Sequence, residues 1–133
     1  MKKAVLTLLT ITLFFSCSKN ESNYESKLLA IDQAITPNSF TFKKAHDITV
    51  KYTLPNGCHA FVDLYYQHND TIRIVAIKAI HNFDLICTQA TIQKEYTFQV
   101  VASQKKDYVF KFWKGKDLNN KDLFEEVVIP VNY

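Results

Sequence analysis

The residues best equipped for chemistry in this chain are Cys58, His59, His81 and Cys87, since two thiolates and two imidazoles form the donor set of a tetrahedral zinc or copper site. Their spacing argues against that use. Metal fingers bring paired donors within about two to five residues of each other, and the step from His81 to Cys87 is longer. Exported thiols are also oxidised before they can serve as ligands. A redox-active bridge would need a Cys-x-x-Cys at a helix start to depress a thiol pKa, and the chain has none. Asp63 and Asp84 flank the same region, and a hydrolase would need a second carboxylate or a histidine such as His59 within hydrogen-bond reach of one of them. In the middle of a strand, Asp63 reads instead as a sheet-edge charge facing a base such as Arg73. With only 2 glycines the chain cannot build a Gly-x-Ser-x-Gly elbow or a phosphate-cradling loop, and it carries no His-Glu-x-x-His. The expectation is a protein that is not an enzyme and holds neither cofactor nor metal, with metal handling or redox work at the Cys58/His59/His81/Cys87 cluster as the alternative.

The remaining candidates are aromatic. Tyr65, Tyr66, Trp113 and Phe124 could project from neighbouring strands as a binding surface, where rings stack on sugar faces or anchor a protein partner. Their competing use is core packing, because either face of an alternating strand can be the buried one.

Such residues need strands to position them, and the period of the chain is two. Ile48, Val50, Tyr52 and Leu54 alternate with Asp47, Thr49, Lys51 and Thr53. Pro55-Asn56-Gly57 turns the chain before Cys58. His59 to Gln67 follows, with Ala60, Val62, Leu64 and Tyr66 assigned to one face and Phe61, Asp63 and Tyr65 to the other. After the turn at His68-Asn69-Asp70, Thr71 to His81 reads as a long central strand. Thr91 to Val101 alternates again, with Lys94 breaking its apolar face. Tyr108, Phe110 and Phe112 alternate with Val109, Lys111 and Trp113, and the segment from Leu123 to Val131 closes the domain, with Pro130 marking an edge. Leu28 to Ile35 reads as a short first strand ending before Thr36-Pro37. About seven strands with no helix long enough to cover a sheet predict an all-β, two-sheet antiparallel sandwich of immunoglobulin-like wiring, with a closed barrel as the rival. Lys106-Asp107-Tyr108 before an alternating strand resembles a tyrosine corner.

The chain opens with Lys2-Lys3, an apolar run from Ala4 to Phe15, and Ser16 before Cys17. That is the order of a secretory signal, too short to remain as a membrane-spanning helix. Phe14-Phe15-Ser16-Cys17 resembles a bacterial lipobox, in which the cysteine is lipidated and becomes the first residue of the mature chain. Ser18-Lys19-Asn20-Glu21 resembles the tether that follows it in surface-exported lipoproteins. The domain division is then 1–16 signal peptide, 17–26 lipidated cysteine and flexible spacer, and 27–133 sandwich. Lipidating Cys17 leaves Cys58 and Cys87 as an even pair in an oxidising compartment, which predicts a disulfide between them.

Losing Lys2 and Lys3 reduces the basic count from 16 to 14 against 13 acidic residues, a near-neutral chain without a basic face that could recruit nucleic acid. The span from Ala30 to Tyr133, with its Leu54-Pro55-Asn56-Gly57-Cys58 turn and later Cys87, resembles a group of small Bacteroidota lipoproteins. That resemblance implies an outer-membrane lipoprotein, on the periplasmic or cell-surface side, and supplies no activity. The partners expected are the membrane, through Cys17, and an envelope protein or glycan.

Overall fold

The computed structural model describes residues 23–133, so the signal segment, Cys17 and the first part of the spacer lie outside the described residues. Among the described residues ten strands follow one another without a helix: β1 (Tyr24–Leu29), β2 (Ile31–Ile35), β3 (Phe40–Thr41), β4 (Ala45–Leu54), β5 (His59–Asn69), β6 (Ile72–Asn82), β7 (Ile92–Val101), β8 (Tyr108–Lys116), β9 (Asp122–Ile129) and β10 (Val131–Asn132). Two sheets form a sandwich. The smaller runs β2-β4-β7, and the larger contains β1, β5, β6, β8 and β9. β6 is the central strand of the larger sheet. β5 lies along one of its edges, while the other is shared between β8, over Ile72 to Val75, and β1, over Ile77 to Asn82.

The alternation in β4 works as its sequence implies, with Ile48, Val50, Tyr52 and Leu54 buried. Across the sandwich they meet Val75 and Ile77 of β6, Phe110 and Phe112 of β8, and Ile129 of β9. Each such side chain contributes roughly 1.5–3 kcal/mol by leaving water. Phe40, wholly buried, closes one end of this core with its ring edge-on to Tyr108 at 5.1 Å. Tyr108 makes the contact that the tyrosine-corner resemblance implied: its buried phenolic oxygen accepts the Ser103 N–H at 3.0 Å, tying β8 to the turn that precedes it.

Several expectations need correction. The spacer does not run free to residue 26, because Tyr24 to Ser26 already pair with Asn82 to Ile80. The segment from Leu28 to Ile35 is two strands rather than one: the chain leaves the larger sheet after Leu29 and enters the smaller at Ile31. The pairing is not wholly antiparallel. β8 runs parallel to β6, the second strand of the β5–β6 hairpin, and β10 runs parallel to β3. In β5 the register shifts between Phe61 and Asp63, leaving Val62 as the extra residue of a bulge. Beyond it the faces exchange. Phe61 and Leu64 pack against the core, Tyr66 meets Phe98 of the opposite sheet at 5.9 Å, and Tyr65 turns outward. β9 is the edge strand that Pro130 implied, and it ends there.

Candidate functional site

Three of the four aromatic candidates meet on the outer face of the larger sheet. Tyr65 on β5 stands opposite Ala76 on β6. The parallel register pairing Val75 with Phe112 brings Ala76 level with Trp113 on β8, which stands opposite Phe124 on β9. The result is a cross-sheet row, Tyr65–Ala76–Trp113–Phe124, in which a methyl group forms the floor and rings form the walls. These residues, with Leu28, Gln67, Ile74 and Asp122, line a hollow of about 150 Å³.

The rings are held by their polar tips. The Trp113 indole N–H donates to Asp122 Oδ1 at 3.0 Å, and the Tyr65 hydroxyl donates to Gln67 Oε1 at 2.9 Å. The indole N–H and the Lys116 ammonium, 3.3 Å from Asp122, stabilise that carboxylate and hold its pKa below the ordinary value. The rings are thereby oriented in advance of any ligand, with the Lys78 ammonium over one face of Tyr65 at 5.7 Å from its centre. A second register shift, between Trp113 and Gly115, lies beside the hollow, and Gly115 takes a positive φ of 101° there that an L side chain resists. Tyr66, the fourth candidate, faces the crevice between the sheets and does not join the row.

The Cys/His cluster occupies the far end of the β5–β6 hairpin. Cys58 and Cys87 form a disulfide, with Cα atoms 5.3 Å apart. His59 and His81 stand in register on β5 and β6, their rings stacked at 4.4 Å and nearly parallel. The Asn56 side-chain oxygen accepts from the Cys58 backbone N–H at 3.0 Å, which marks it as an acceptor, so the His59 Nδ1 at 2.8 Å carries the proton. His81 Nδ1 is buried without a partner. Donor atoms of Cys58, His81 and Cys87 lie within 4.8 Å of one another. With the bridge closed both sulfurs are committed to each other, and only the thiolates are strong metal ligands.

Burial foremost, then the neighbouring His81, holds the His59 pKa below 6.5. The unfolded chain therefore takes up this proton at higher pH than the folded one, so the stability held above about pH 6.5 falls as pH drops through the window below it. Urea midpoints measured across that window should decline with acidity in the wild type and decline less in His59→Gln. Equal slopes would remove His59 as the cause.

The acidic candidates do not form a pair. Asp63 accepts the Leu64 N–H at 2.8 Å and stands opposite Lys78, not Arg73, which lies opposite His68. Asp84 accepts from the Asn23 side chain at 2.7 Å. A larger hollow of about 490 Å³ at β2, β4 and β7 carries Asp32 and Glu95 against Lys51 and Lys94, and so has no charge preference.

Sequence reasoning singled out the rings by type and missed Ala76, Gln67 and Asp122. The available signals were a small residue within an otherwise large apolar run, and polar partners within reach of each ring tip.

Residues 48–127 match the family described as ORF11 beta-sandwich domain, which is more than half of the chain, and the chain belongs to that family. No curated protein and no solved structure matches it.

Proposed function

We propose that this member of the ORF11 beta-sandwich family is a lipid-anchored module of the bacterial cell envelope that binds its ligand without transforming it, held at the outer membrane through Cys17. The signal-like start and the lipobox resemblance support the anchor. The row Tyr65–Ala76–Trp113–Phe124 carries the binding reading. Of the two ligand classes, glycan and envelope protein, the hollow favours the glycan. At about 150 Å³ it is small beside the roughly 300–1,000 Å³ of drug-sized sites and suits a single ring. It also offers what a sugar needs: apolar faces for its C–H side, with Gln67 and Asp122 at the margin for its hydroxyls.

The test is a glycan array probed with the full chain in detergent micelles, alongside a pull-down from solubilised envelopes. A bound glycan should lose at least about tenfold in affinity on Trp113→Ala or Tyr65→Ala, as buried aromatic anchors do. If array and pull-down both return nothing, or the two variants bind as the wild type does, the reading fails.

A further inference from the structure

A second site lies on the other side of the larger sheet, where β5 and β7, edge strands of the two sheets, border an open crevice of about 460 Å³. Its floor holds Arg73, only 4% exposed. A buried guanidinium is costly unless its charge is matched, and among the described residues no carboxylate lies within 4.0 Å of it. Its partners are neutral. Nη1 donates to the carbonyls of Asp70 and Ile72, Nη2 donates to Gln104 Oε1 at 3.1 Å, and the Tyr108 ring lies 4.8 Å beneath the guanidinium carbon. Of the five N–H groups, these bonds use three, and the Tyr66 phenolic oxygen lies within hydrogen-bond reach of a fourth, leaving one.

Tyr66 stands beside Arg73 at the crevice wall. Burial raises the pKa of its phenol, with Arg73 pulling the other way, so the hydroxyl stays protonated and can donate. Phe98 and Val101 give the crevice apolar walls above this cationic floor.

We propose that this crevice binds an oxyanion, carboxylate or phosphate, carried on an apolar body: the remaining Arg73 N–H and the O–H of the Tyr66 phenol beside it hold the anion, while Phe98 and Val101 cover the body. A guanidinium N–H beside a phenolic O–H presents two donors, one of them charged, to either anion. Asp63 also borders the crevice, but its carboxylate accepts the Leu64 N–H and forms no ion pair with Arg73, so the ligand supplies the negative charge that the guanidinium itself lacks.

Benzoate and phenyl phosphate serve as probes, titrated separately into the ¹⁵N-labelled full chain in detergent micelles. At least one should give saturable amide shifts near His68 and Ser103, with Kd of about 1 mM or tighter. Saturation by benzoate alone identifies a carboxylate ligand, and by phenyl phosphate alone a phosphate one. Tyr66→Phe keeps the ring against Phe98, removes one charge-assisted hydrogen bond, and should weaken binding about tenfold. Arg73→Lys keeps the charge without the guanidinium N–H and should weaken it further; if that variant does not fold, Tyr66→Phe decides alone. No saturable shift from either probe up to about 10 mM, or unchanged affinity in Tyr66→Phe, overturns the proposal. Trp113 lies on the opposite face of the sheet, so its emission should not respond, which separates this site from the outer hollow.

Discussion

Replacing Cys58 and Cys87 together by alanine lowers the unfolding free energy by about 3–4 kcal/mol, the chain-entropy value for a closed loop of this length. The bridge spans 29 residues and ties the turn before β5 to the connection that crosses from β6 to β7. Little else holds that connection: Phe83, Leu85 and Ile86 are exposed, and Ile86 touches nothing that shields it. Its other anchors are the backbone bonds from Phe83 N–H to Asn23 O at 3.0 Å and from Gly57 N–H to Thr88 O at 3.2 Å, and the Asn23 side chain donating to Asp84 at 2.7 Å. A Cβ at residue 57 would sit 2.9 Å from the Thr88 hydroxyl, so glycine is needed for that approach. The loss is read from denaturant midpoints with the slope checked for constancy. A cost below about 1 kcal/mol would mean that the connection is held by something other than the bridge.

Phe110→Ala should cost about 3–5 kcal/mol, as deletion of a fully buried ring does when the surroundings cannot collapse. Phe110 is the middle of three alternate rings on β8, 6.2 Å from Tyr108 and 5.7 Å from Phe112, with Phe40 edge-on at 6.2 Å. Removing it leaves a cavity bounded by rigid rings on three sides. Against a typical net stability of about 5–15 kcal/mol, this one substitution would visibly populate the unfolded state in mild denaturant. A midpoint close to the wild type would show that the column of rings can repack.

How far the sequence was readable follows from where its pattern reports on packing. β4 and β7 alternate cleanly because each turns one face to the core, and their inward residues are those the pattern implies, although β4 begins at Ala45, two residues before the alternation does. The sequence of β1 looks in part like a spacer because Tyr24 to Leu28 are exposed: this strand is held by backbone pairing to β6, which no side-chain pattern records. The parallel β6–β8 pair is likewise a matter of topology. The Val62 bulge had the widest consequence, since one extra residue exchanges every later face of β5 and sends Tyr65, rather than Tyr66, to the outer surface. By pattern Arg73 is a strand charge that could face Asp63. Its isolation in the apolar run from Thr71 to His81 was the visible sign that it could be buried.

Trp113 is the chain's single tryptophan and a wall of the proposed site, so its fluorescence reports on that hollow alone. Soluble oligosaccharides released from the bacterial envelope, titrated into the full chain, should shift or quench this emission saturably, and Tyr65→Ala should weaken the response about tenfold. Saturable glycan binding that leaves Trp113 emission unchanged, or a response untouched by Tyr65→Ala, would contradict the account.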